Sequence, residues 1–189
     1  MRLFAAVLLP EEAMAELRDA VSPLRDDRLR WTGEPGWHFT LAFMGEVRDE
    51  VLPGLHARLA RAAAHSDPFA LRLHGAGHFG NRSLWMGAAG DLDAMRLLAD
   101  RADAAARRAG VPMEQHRRYT PHLTLGRSRD DAVRLRPYLD ALADFEGTPW
   151  RADALSLVRS NLPVSGVPGE QPRYETVGSW PLGTGQGRT

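Results

Sequence analysis

Apolar residues at positions 2–9 run almost unbroken and stop at Pro10, which reads as a first strand buried on both faces rather than as a leader peptide. Over 11–25 the apolar positions Ala13, Met14, Leu17, Ala20 and Val21 recur at helical spacing. A short strand is expected over 28–32, then a turn at Thr32-Gly33-Glu34-Pro35-Gly36, then a strand over 37–43. Residues 49–64 read as a helix with Val51, Leu52, Leu55 and Leu59 on one face and Pro53 near its start. Strands are expected over 69–75 and 83–88, joined by a loop at Gly77-His78-Phe79-Gly80-Asn81. Residues 91–109 form a helix opened by Asp91 as N-cap and stopped by Gly110 and Pro112. A strand over 120–127, a helix over 130–143 and late strands over 151–159 and 172–178 complete the pattern, and the tail 183–189 reads as flexible. Strands and helices mix with at least one hairpin, so the fold class is α+β, with residues 1–182 as one domain.

The chain also repeats itself. Trp37-His38-Phe39-Thr40-Leu41 and Pro121-His122-Leu123-Thr124-Leu125 are each followed by a short linker and a helix. Such self-similarity marks two related lobes, with a site between them taking one group from each. In a strand, residues i and i+2 share a face about 7 Å apart. Each copy therefore presents an imidazole beside a hydroxyl, while Phe39, Leu41, Leu123 and Leu125 turn to the opposite face. Two imidazoles flanking a phosphodiester can divide proton removal from water and proton delivery to the leaving oxygen. Histidine suits both tasks near neutral pH. Thr40 and Thr124 can donate to the non-bridging oxygens, and Arg127, two residues beyond Leu125, can neutralise developing charge.

Composition narrows the options. The 189 residues include 24 Lys plus Arg and 24 Asp plus Glu, and no cysteine, which excludes a thiolate nucleophile, disulfides and thiolate metal sites. Zero net charge argues against a long non-specific nucleic-acid binder but permits contact with one or two phosphates. Every basic side chain apart from histidine is arginine, so phosphate is met by guanidinium forks, hydroxyls or backbone donors. No H-E-x-x-H or comparable ligand spacing is present, so no metal is expected. His56 and His65 fall on a polar helix face, His74 and His78 lie near the Gly/His-rich loop, and His116-Arg117-Arg118 begins a basic patch before the second motif. No stretch is long and apolar enough to span a bilayer, and a cytoplasmic location is expected.

These motifs, with Arg2-Leu3-Phe4-Ala5-Ala6, Trp31, Phe43-Met44-Gly45, Gly77-His78-Phe79, Leu84-Trp85-Met86-Gly87, Arg118-Tyr119-Thr120-Pro121, Tyr174-Glu175 and Trp180-Pro181-Leu182, resemble the 2H phosphoesterase superfamily. The resemblance is to its RNA 2′,3′-cyclic phosphodiesterases, once called 2′-5′ RNA ligases. It implies a bilobal, pseudo-twofold fold whose two mixed or antiparallel sheets form a central cleft with helices outside. It implies opening of a 2′,3′-cyclic phosphate at an RNA 3′ end, tRNA fragments among the candidates, to a 2′-phosphate by a monomeric enzyme without metal or cofactor. His38 would be the proton donor, His122 the proton acceptor, and Thr40, Thr124 and Arg127 the phosphate binders. Some relatives run the reaction backwards to form a 2′-5′ linkage. Two other readings stay open: a cyclic phosphodiesterase acting on a small nucleotide, such as an ADP-ribose cyclic phosphate or a 2′-5′ oligonucleotide, and a non-catalytic RNA-end binding module.

Overall fold

The computed structural model describes residues 1–115 and 118–183. Among these residues, nine strands fall into two sheets, wholly antiparallel rather than mixed, with four α-helices between strands. The first sheet has the order β3-β1-β8-β9, built from β1 (Arg2–Leu8), β3 (His38–Glu46), β8 (Ala154–Asn161) and β9 (Arg173–Pro181). The second has the order β2-β6-β5-β4-β7, built from β2 (Leu29–Trp31), β4 (Phe69–Phe79), β5 (Ser83–Gly90), β6 (Leu123–Ser128) and β7 (Trp150–Ala152). The lobes interleave along the chain: β2 leaves the N-terminal strands for the second sheet, and β8 and β9 return to the first.

The strand β1 is buried on both faces, as its unbroken apolar run demands. Leu3, Ala5 and Val7 enter the main core. Phe4 and Ala6 turn the other way and form a small separate cluster with Val158, against which Tyr174 packs. Helices α1 (Glu11–Val21) and α4 (Arg136–Leu142) pack on β4, whereas α2 (Leu52–Ala64) packs on β8, β9 and α3 (Leu92–Ala109), and α3 also meets β3. Asp91 caps α3 by accepting from the Ala94 N–H, and Gly110 ends it in the left-handed conformation that glycine adopts without steric cost. None of the helices among the described residues is long and apolar enough to cross a membrane.

Several boundaries depart from the periodicity. The helix α1 stops at Val21, and Ser22–Leu24 tighten into a 3₁₀ turn around Pro23. The helix expected over 130–143 is only Arg136–Leu142, because the Asp130 carboxylate accepts from the Ala132 N–H and holds a turn there. The strand β4 continues to Phe79, so Gly77 and His78 belong to a strand and the hairpin turn is confined to 80–82. The late strand expected over 151–159 breaks at Asp153 into β7 and β8, which lie in different sheets. The expected strand over 120–127 begins at Leu123, just after His122. Within the basic patch, His116 and Arg117 lie outside the described residues, as does the tail from 184 onward.

Candidate active site

The two H-x-T-L motifs share a device beyond the His/Thr alternation. In the β1–β3 ladder Ala6 pairs with Thr40 and Ala5 with Ala42, leaving Leu41 unpaired. In the β5–β6 ladder Trp85 pairs with Thr124 and Leu84 with Gly126, leaving Leu125 unpaired. The motif leucine is thus a β-bulge residue in both strands. A bulge inserts one residue and reverses the alternation beyond it. Leu41 and Ala42 are therefore both buried, as are Leu125 and Gly126. The next side chains return to the face of the histidine and threonine.

Unbroken alternation would have sent Arg127 to the core side with Leu125. The bulge instead aligns it with His122 and Thr124, opposite Ser83 of β5. The equivalent slot of β3 holds Phe43, which is 50% exposed, with the Arg2 guanidinium 4.7 Å above its ring. Each motif strand therefore carries a histidine, a threonine and a third group at the same offset. A cationic head stands at both third positions, directly in one lobe and over an aromatic ring in the other.

Both histidines rest on aromatic rings. His38 stacks on Phe4 at 4.5 Å between centroids and meets Tyr174 edge-on at 5.4 Å. His122 meets Phe79 edge-on at 4.8 Å and Trp85 at 6.0 Å. Trp85 lies flat across β4 because position 77 is glycine: a Cβ there would stand 2.2 Å from two ring carbons. The His122 Nδ1 lies 2.7 Å from the Thr120 carbonyl oxygen, which can only accept, so this nitrogen carries the proton. The lone pair of neutral His122 is thereby presented at Nε2. The Tyr119 hydroxyl donates to the Thr40 carbonyl at 2.9 Å, tying the approach to the second motif onto the strand of the first. Burial pushes that phenol up.

The two units meet in one electrostatic neighbourhood. Burial, and then repulsion from His122, hold the His38 imidazole down to about 4. Burial raises the Tyr174 phenol, and the fields of Arg127 and Arg2 pull it back. Tyr174, from the first sheet, thus lies within the fields of arginines from both sheets. His38, Thr40, His122, Thr124 and Arg127 all lie on the faces that meet here. His56 instead stacks edge-on against Trp180 and His65 bonds the Arg61 carbonyl, both on α2 or its C-terminal end. His78 bonds the Gly80 carbonyl, and the backbone of His74 forms an isolated antiparallel bridge with that of Glu146. Among the described residues, no group of three or more His, Asp or Glu is arranged to hold a metal ion. Phe4, Phe79, Trp85 and Tyr174 complete the site but carry no polar spacing to single them out. They come singly from four strands, β1, β4, β5 and β9.

The model of the 2′-5′ RNA ligase superfamily matches residues 8–162. The chain belongs to that superfamily. A curated Thermus thermophilus relative, named RNA 2′,3′-cyclic phosphodiesterase, is 36% identical over 181 residues, covering 88% of this chain and 85% of its own. A Geobacillus stearothermophilus relative of the same name is 29% identical over 197 residues; the match takes in 98% of this chain but 59% of that longer protein. The crystal structure of Escherichia coli LigT with 3′-AMP superposes with a TM-score of 0.77 at 25% identity, covering 96% of this chain and 97% of the other. A crystal structure from Thermus thermophilus superposes at 0.74 with 30% identity, covering 96% of this chain and 98% of that one. The superfamily's fold, two curled antiparallel sheets with helices packed on them, is the fold described above.

Proposed function

We propose that the protein hydrolyses 2′,3′-cyclic phosphates at RNA 3′ ends to 2′-phosphates, using His38 and His122 as an acid/base pair without a metal ion. One observation carries the reading: two His–Thr units built on different sheets are brought together where the Tyr119 hydroxyl, on the approach to His122, donates to the Thr40 carbonyl. The names of the curated relatives support the cyclic-phosphate substrate.

In this mechanism the cyclic phosphate sits between the imidazoles, its non-bridging oxygens held by the Thr40 and Thr124 hydroxyls and by Arg127. Water attacks phosphorus on the side of His122, whose free Nε2 takes the water proton. The bond from phosphorus to the 3′ oxygen breaks, and His38 delivers its proton to that oxygen. The phosphate remains on the 2′ oxygen. A donor must first be charged, yet burial keeps His38 neutral in the free protein near pH 7. The substrate supplies the remedy: an anion beside the ring favours the imidazolium, so His38 takes up its proton as the phosphate binds. Joining through a 2′-5′ linkage would be the same steps with an RNA 5′-hydroxyl in place of water.

The test is incubation of the purified protein, in EDTA, with RNA ending in a 2′,3′-cyclic phosphate. The expected product is the 2′-phosphate. An intact cyclic end, or turnover only after a divalent cation is restored, would sink the proposal.

A further inference from the structure

Next to Arg127, the second sheet carries a row of arginines on the face of His122 and Thr124. Arg30 of β2 stands directly opposite Arg127 in the ladder. One step along, the Arg129 N–H donates to the Arg28 carbonyl at 3.4 Å, so the same alternation puts Arg28 opposite Arg129 on the face of Arg30. All four side chains are exposed. Like charges directly opposite each other destabilise an antiparallel pair, and the usual relief is a carboxylate between them. Among the described residues, neither Arg30 nor Arg127 makes an ion pair or a side-chain hydrogen bond, and neither Arg28 nor Arg129 makes an ion pair. The acid nearest in effect to Arg28 is Asp26, whose carboxylate is already bonded by the Tyr138 hydroxyl at 2.5 Å and by the Arg28 N–H.

Two like-charge pairs on adjacent strands, neither bridged by an ion-paired carboxylate among the described residues, make a surface that an anion would complement. The row starts at Arg127 and leads away from His122 and Thr124 along β6. Paired Cα atoms across such a ladder lie about 5.5 Å apart. Two guanidinium forks at that spacing can hold one phosphate each, or share one, in the bidentate manner that arginine favours. On the other flank of the site Arg2 stands over Phe43.

We propose that Arg30, continued by Arg28 and Arg129, binds the backbone phosphate adjoining the cyclic end, so that the site favours an RNA strand over a lone nucleoside cyclic phosphate. The inference rests on the reading that Arg127 holds the reacting phosphate. A nucleoside cyclic phosphate has no second phosphate to offer these arginines.

The experiment compares adenosine 2′,3′-cyclic phosphate with the dinucleotide ApA ending in the same group, in wild type and in Arg30→Gln. A charge-assisted contact of this kind is worth about one decade in affinity. The preference for dinucleotide over mononucleotide in kcat/KM should fall about tenfold in the variant, mainly through KM. The salt dependence of log KM for the dinucleotide should flatten by about 0.7 per decade of salt, the contribution of one single-strand phosphate. Arg30→Lys should retain the salt slope while losing part of the preference. Arg30 is exposed, and an unchanged melting temperature will show that the variant is folded. A preference equal to wild type in Arg30→Gln overturns the inference alone. Wild-type protein that turns over neither substrate overturns the phosphodiesterase reading and the inference with it.

Discussion

His38 links the stability of the fold directly to its chemistry. Enclosed by Phe4 and Tyr174 and facing His122, its imidazole is held down to about 4. In the unfolded chain it would titrate at its ordinary value near ~6.5. Between these values the unfolded chain binds the proton and the folded protein refuses it. Stability therefore rises with pH across this window, is fully present above the unfolded value, and is lost as pH falls from ~6.5 toward 4. The linkage integral gives a loss of about 2.5 kcal/mol at pH 4.5 relative to pH 7.5. Replacing His38 by glutamine removes this titration and keeps a polar side chain of similar size. Urea unfolding of wild type and His38→Gln at the two pH values isolates the residue, because titrations that do not feel His38 cancel in the difference. The free-energy gap between the proteins should shift by about 2.5 kcal/mol in favour of the variant on going to pH 4.5. Parallel pH profiles would refute the enclosure of His38 and the mechanism that depends on it.

Arg127→Gln should lower kcat/KM for a cyclic phosphate by roughly 10²-fold, the scale of one charge-assisted donor to a developing anion, and steady-state kinetics will measure it; a loss below threefold would mean that the bulge at Leu125 does not deliver Arg127 to the phosphate. Gly77→Ala pushes a methyl group into the Trp85 ring and should cost roughly 1–3 kcal/mol in urea unfolding, with altered tryptophan fluorescence, whereas a silent substitution would contradict the packing that places Trp85 beside His122.

Much of this was legible along the chain, because strand alternation and helical periodicity are local properties. Phe39, Leu41, Leu123 and Leu125 are buried as the spacing requires, while His38, Thr40, His122 and Thr124 are less buried. The capped helix α3 and the doubly buried β1 follow from Asp91, Gly110 and the run from Leu3 to Val7. The bulges were not legible, since a bulge is a property of a ladder and needs both partners to define it. Strict alternation alone would put Arg127 on the face of Leu125, although its chemistry assigned it to the phosphate. The interleaving of the lobes was hidden for the same reason: nothing local to Leu29–Trp31 says that its partner is β6. The pairing of Arg30 with Arg127 is likewise a matter of register between residues 97 positions apart. Helix α4 was overextended because the apolar spacing continued through a segment whose backbone is captured by Asp130.

The account stands on His38 and His122 acting as one unit, and a double-mutant cycle on hydrolysis of a nucleoside 2′,3′-cyclic phosphate tests it most directly. His38→Ala and His122→Ala should each lower kcat by roughly 10²–10⁴-fold with the fold intact. The double variant should be little worse than the poorer single one, because removing either half of an acid/base pair disables the other. Full activity in either single variant, or losses that multiply in the double, would contradict the pairing.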